Sequence, residues 1–191
     1  MKPVITTPKG EIHIRAATPA DAVAYRELRL DALQDSPTAF SADYQKNLYE
    51  PPRYWQERVT LRPDEAALFL AEHDHKLIGM TGIFRGNLPK TRHAATVWGV
   101  YVKPVWRGLH IAEELIKVCL DWAKARSIVV AQLGVTATNT PAVRCYQRCG
   151  FQICGTEPRA LFYEGTYYDF YLMTRSLDDK EALKEKDVDR G

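Results

Sequence analysis

The chain carries little net charge, with 26 Lys and Arg against 24 Asp and Glu over 191 residues and both signs interspersed, for a formal +2. No field of one sign therefore points to nucleic acid or to an anionic membrane surface as a partner. Cysteine is also scarce: Cys119, Cys145, Cys149 and Cys154 lack the paired spacing of a zinc site, which reads as a reduced, cytoplasmic protein. No apolar run reaches the ~18 residues that span a bilayer, and residues 1–10 do not form a signal peptide, so no membrane partner is expected. Absent too are a Lys-Ser/Thr phosphate motif and a Gly-rich dinucleotide fingerprint, which sets aside the nucleotide-binding folds that depend on them. Glu72, His73, Asp74 and His75 stand together but occupy a predicted hairpin turn with no third histidine near, so no metal is expected.

What is present is enough apolar residue, 46%, for one substantial core. Residues 1–10 read as a loose arm, 11–177 as a single domain and 178–191 as a charged tail without an apolar face. Within the domain, Ile12, His13, Ile14 and Arg15 begin a strand, and Thr18 or Asp21 can cap a helix over 22–33. Two further helical pieces fall at 40–48 and 52–60. A hairpin turns at Asp74 and His75, and the alternating aromatics around Tyr167, Tyr168, Phe170 and Tyr171 suggest a second hairpin near the C-terminus.

The most informative stretch begins at a strand, Ala94–Val102, which contains Gly99 and ends before Pro104. A short basic loop follows, and then a helix whose Ile111, Leu115, Val118, Cys119 and Trp122 share one face. Unpaired backbone N–H groups at the start of that helix, with its dipole and Arg107, make an anion site suited to phosphate. A buried strand over 128–135 and a short helix from Asn139 to Gly150 come next; Thr140 can cap that helix and Pro141 suits its first turn.

In this order of elements the chain resembles the GNAT superfamily of acyl-CoA-dependent N-acyltransferases, over roughly residues 12–177. The family's pyrophosphate loop falls on Arg107, Gly108, Leu109, His110, Ile111 and Ala112, with His110 where the family usually has glycine. Asn139 and Tyr146 match its later Asn and Tyr. The resemblance implies an α/β (α+β) single domain: a mixed, mostly antiparallel sheet flanked by helices, with a splayed central strand pair. It implies acetyl-CoA as cosubstrate, no metal, and an amine acceptor attacked directly through a tetrahedral intermediate.

By the same resemblance, backbone groups of Val100, Tyr101 and Val102 bind the thioester and pantetheine, residues 107–112 the pyrophosphate, and Asn139 also contacts the cosubstrate. Tyr146 suits a general acid, because a phenol of pKa ~10 stays protonated at neutral pH and can still donate to a thiolate. For the base, His93, Glu157 and Asp169 are candidates, and a free amine delivered through water needs none. The acceptor can be a small amine, an amino acid, a peptide N-terminus or a lysine, and the oligomeric state, a homodimer included, stays open. The alternative function is a noncatalytic acyl-CoA-binding or regulatory module on the same fold.

Overall fold

The computed structural model describes residues 3–178, so the tail expected over 178–191 lies, apart from Asp178, outside the described residues. Eight strands form one sheet: β1 (Val4–Thr7), β2 (Gly10–Ala16), β3 (Ala66–His73), β4 (Lys76–Arg85), β5 (Ala94–Val102), β6 (Val130–Thr136), β7 (Gln152–Tyr163) and β8 (Thr166–Ser176). Their order is β1-β2-β3-β4-β5-β6-β8-β7. Every neighbouring pair is antiparallel except β5 and β6, whose parallel pairing requires a crossover. The helix α4 (Ile111–Lys124) supplies it.

Alternation along the central strands explains why helices cover both faces. Leu68 and Leu70 of β3, with Met80 of β4, face a core shared with α1 (Ala22–Asp35) and α3 (Pro52–Val59), including Tyr25, Leu28 and Trp55. Phe69 and Ala71, with Ile83, Ala95 and Val97, face the opposite core, built on Ile111, Leu115, Ile116 and Cys119 of α4. The second core continues across the sheet into Leu133, Val135, Phe151 and Met173. A short helix, α2 (Tyr44–Leu48), lies between α1 and α3 in sequence, and α5 (Thr140–Arg148) follows β6. No helix among the described residues is long and apolar enough to cross a membrane.

Two expectations are corrected. The segment read as a loose arm contains β1, which pairs with β2 from Val4 opposite His13 to Thr7 opposite Gly10. Gly10, at φ +111°, permits the turn between them, a conformation that side chains rarely adopt. The residue capping α5 is Asn139 rather than Thr140: its side-chain oxygen accepts from the Ala142 N–H at 3.3 Å.

A charged cluster ties the entry of α1 to the sheet. Arg15 of β2 donates to both oxygens of Asp21, at 2.8 and 2.7 Å, and also to Glu72 of β3, at 2.8 Å. Asp21 further accepts from the Thr18 N–H and hydroxyl at 2.7 and 2.8 Å. The Arg15 hydrogen bonds outweigh the cost of burial and hold the Asp21 carboxyl at about 2, below its ordinary 3.8. A carboxyl depressed in the folded state contributes stability above its unfolded pKa and loses that contribution as pH falls towards the folded value, here between about 4 and 2. Asp21→Asn is therefore expected to lower unfolding free energy by about 2 kcal/mol at pH 7, with the difference from wild type shrinking across that acid window. Urea titrations at pH 7, 4 and 2.5 check this; a difference independent of pH would remove the carboxylate from the explanation.

Candidate active site

β5 and β6 pair only through Ala94, Ala95 and Thr96 opposite Val130, Ala131 and Gln132, and beyond these rungs the strands part. The β6-facing backbone groups of β5 past Thr96 consequently have no ladder partner there and border a cleft. On its other side β5 departs from regular pairing too, with the register against β4 shifting between Met80 and Gly82. Gly99 lies opposite that irregularity at φ +67°, the backbone state a bulge needs and glycine adopts without strain. Gly82 is required for a different reason: a Cβ there would come within 2.2 Å of the Trp98 ring.

After Val102, residues Pro104–Trp106 make a 3-10 turn, and Gly108 (φ +79°) and His110 (φ 58°, ψ 17°) bend the chain into α4. The N–H groups of Gly108, Leu109, His110, Ile111 and Ala112 donate to no protein group among the described residues. Five donors at the positive end of a helix form an anion cradle. The field differs from the expected one, because Arg107 does not supply a free charge. Its guanidinium pairs with Asp35 of α1, donates to the Val102 carbonyl at 3.0 Å and lies 5.6 Å from the centre of the Tyr101 ring. Arg107 thus fixes the loop against β5 and α1.

Glu113, in the first turn of α4, accepts from Arg148 at 3.1 and 2.6 Å and lies 3.1 Å from His110 Nδ1. Burial pushes its carboxyl up, but the Arg148 hydrogen bond and its own backbone N–H hold it below the ordinary range. Glu113, the one carboxylate lining this cleft among the described residues, is in this way neutralised by Arg148 of α5. Arg144, one turn before Arg148 on the same side of α5, lines the cleft and has no ion-pair partner among the described residues. Sequence reasoning missed Arg144 and Arg148, although their separation by four places them on one helix face.

The cleft encloses about 480 Å³ and is walled by Val100, Tyr101 and Val102 on one side and Asn139, Cys145 and Tyr146 on the other. Tyr146 is 9% exposed and meets Phe151 edge to face, and burial raises its phenol well above 10. Its hydroxyl makes no hydrogen bond to the protein among the described residues. Tyr101, buried and near Asp35, is pushed up to about 12. A second cavity of about 450 Å³, walled by Leu33, Gln34, Asp43, Tyr44 and Tyr163, shares Phe40 with the first.

Of the residues expected at the site, Val100, Tyr101, Val102, Arg107, Gly108, His110, Ile111, Ala112, Asn139 and Tyr146 line this one cleft. Leu109 belongs to the cradle by its N–H while its side chain packs on the α4 core. The three base candidates do not line either cavity. His93 lies at the paired end of the strands, where its carbonyl accepts from Val129 and Val130, roughly 23 Å along β5 from Val100. Asp169 accepts from the Arg159 N–H at 2.8 Å, serving an irregular stretch of β7 where Arg159 has φ 54°. Glu157 opposes Phe170 at the start of that irregularity and is exposed. Among the described residues no group of three or more His, Cys, Asp or Glu side chains could hold a metal, and His75 is fully exposed at its turn.

The model of the acetyltransferase (GNAT) family matches residues 27–151. An L-amino acid N-acetyltransferase of Escherichia coli is 32% identical over 125 residues, covering 63% of this chain and 74% of that protein. A mycothiol acetyltransferase of Acidothermus cellulolyticus is 30% identical over 167 residues, 81% of this chain, which spans about half of that protein's length. Among solved structures, a GNAT-family acetyltransferase of Streptococcus pneumoniae superposes with a TM-score of 0.77 at 23% identity, covering 87% of this chain and 99% of that one. A Salmonella typhimurium protein solved with acetyl-CoA superposes at 0.72 with 20% identity, covering 87% and 94%. With a splayed strand pair, an anion cradle and a family match over most of the domain, the chain belongs to the GNAT family of acetyltransferases.

Proposed function

We propose that this protein is an N-acetyltransferase that moves acetyl from acetyl-CoA to a primary amine by direct attack. The observation that carries this reading is the run of five undonated N–H groups at 108–112 opening onto the same cleft as a buried, protonated Tyr146. The cradle, with Arg144 beside it, suits a pyrophosphate. The unladdered edge of β5 at Val100 to Val102 offers backbone donors and acceptors to an extended amide chain and a donor to the thioester oxygen. Asn139 uses its side-chain oxygen on Ala142, which leaves its amide nitrogen for the cosubstrate. Acetyl-CoA supplies an activated acyl carbon and a thiolate leaving group.

The chain's own part is to position and to move protons. As the amine nitrogen bonds to the acyl carbon and the C–S bond breaks, Tyr146 gives its proton to the departing sulfur and regains one from water. Among the described residues, the carboxylate and the imidazole that line the cleft, Glu113 and His110, lie at its phosphate end. The amine therefore arrives uncharged and passes its proton to water, without a dedicated base. The free thiols of Cys119, Cys145, Cys149 and Cys154 suit a reducing compartment, so we place the enzyme in the cytoplasm. The E. coli relative is named for L-amino acids, which supports an amine acceptor here.

Coenzyme A and acetyl-CoA are expected to raise the melting temperature, since a ligand bound only by the native state stabilises it by ~2.7 kcal/mol at one hundred times its Kd. No shift at millimolar ligand would overturn the reading. His110 holds a left-handed conformation that glycine adopts freely, so His110→Gly is expected to keep unfolding free energy within about 1 kcal/mol of wild type. Coenzyme A affinity should be unchanged or slightly improved in that variant, and a clear loss by calorimetry would assign the imidazole to the phosphate. Tyr146→Phe keeps the ring and removes the proton. Single-turnover transfer should fall by ~10²- to 10⁴-fold while stabilisation by acetyl-CoA stays near wild type. Transfer at the wild-type rate would make Tyr146 structural.

A further inference from the structure

Only two buried side-chain polar atoms among the described residues lack a hydrogen-bond partner, Arg29 Nη1 and Trp55 Nε1. Both are donors, and both sit in the packing between α1, α3 and the sheet. Arg29 is the more costly of the two, because a guanidinium offers five donors and cannot shed its charge. No carboxylate compensates it among the described residues. Asp31 and Asp35 on its own helix pair with Lys103 and Arg107, and Arg29 itself joins no ion pair among the described residues. The groups that act on its charge are Tyr25, Tyr54 and a second cation, Arg58, while burial disfavours the charged form. A desolvated cation without a carboxylate is unfavourable unless something brings one.

The position of Arg29 shows from which side an anion would come. Its guanidinium lies over the Phe40 ring at 4.6 Å, and Phe40 walls both cavities. Apart from Gly99 and its chain neighbours, Nη1 is the only atom of the described residues within 4 Å of where a Cβ would stand on Gly99. The β5 bulge is thus overlain by this buried nitrogen, one residue from Val100, where the donor cleft begins.

We propose that Arg29 binds the carboxylate of the acceptor, so that the acceptor class is an α-amino acid with its amine directed over Gly99 towards the cleft. This rests on the acetyltransferase reading above and adds the acceptor. In an α-amino acid the carboxylate carbon and the amine share one carbon, so a fork of hydrogen bonds at Arg29 fixes the nitrogen's place. A peptide N-terminus or a lysine side chain has no carboxylate at that distance from its amine.

The test compares the twenty L-amino acids, each with its carboxamide, as acceptors for wild type, Arg29→Gln and Arg29→Lys. Thiol release from acetyl-CoA is the readout, and the thermal shift with coenzyme A serves as the control for folding and donor binding. For the amino acids that react best, wild type is expected to prefer the acid to the amide by roughly 10- to 100-fold in kcat/KM, the range of a hydrogen-bonded charge. Arg29→Gln should bring that ratio close to one, and Arg29→Lys should restore part of it. Equal losses on acid and amide, or a wild type that prefers the amide, would overturn the proposal and make Arg29 a structural cation. If coenzyme A shifts the melting temperature and amines without a carboxylate are the ones acetylated, this inference fails and the acetyltransferase reading stands. No coenzyme A shift and no transfer to any amine would end both. Should Arg29→Gln fail to fold, wild type protected by an amino acid but not by its amide in the presence of coenzyme A supports the proposal, and equal protection by the two overturns it.

Discussion

Three rungs of parallel pairing, Ala94 to Thr96 against Val130 to Gln132, join the two arms of the sheet, and the site exists because the ladder stops there. Continued pairing would use the backbone groups of Val97 to Val102 within the sheet and leave no groove between the strands. Stopping it leaves polar backbone to be satisfied by a ligand that can enter. The bulge at Gly99 and the turn at Gly108 act at either end of the same free edge, one displacing it and the other directing the chain into α4. The α4 helix then crosses back beneath the sheet, which brings its N-terminus to the open end of the V rather than to the paired end.

The electrostatics of this end are those of a neutral frame with aligned dipoles. Arg107 is balanced by Asp35, and Glu113 by Arg148, so the fixed charges nearest the loop are paired and hold α1, α4 and α5 in position. What remains directed outward is backbone N–H and the unpaired Arg144. Oriented amides cost no rearrangement when an anion arrives, and a paired frame does not attract anions elsewhere on the loop. On the other face of the sheet the situation is reversed, with Arg58 acting on Arg29 as a like charge and no acid pairing with Arg29 among the described residues.

Much of this was legible in the sequence where signals are local. The apolar face of α4, the two hairpins and the short helix that carries Tyr146 fall where periodicity and turn residues put them. Three things were not legible, each for a physical reason. β1 has four residues and only exposed or half-buried side chains, so its existence depends on hydrogen bonds to β2 and leaves no alternation to read. The partner of Arg107 is 72 residues away, and charge pairing over that separation is set by how α1 packs on the sheet. His93 starts the right strand, but sequence does not say which end of a strand stays paired, and it occupies the paired end. The unpartnered state of Arg29 is also a tertiary fact, since its sequence neighbours Asp31 and Asp35 are acids that serve other cations.

The two cores divide the molecule unequally. The core under α4 spans both arms of the V and contains the cradle's Ile111 together with Val143 and Tyr146, whereas the core of α1, α3, β3 and β4 takes no residue from β6, β7 or β8. A substitution in the smaller core therefore stays outside the packing that supports Tyr146, and it reaches the loop only through Tyr101 and α1, which hold Arg107. Distant, separately packed sites combine almost additively. The fold is accordingly modular in its tolerance for change: residues around Trp55 and Leu28 can be redrawn while the packing behind Tyr146 and Ile111 is inherited intact.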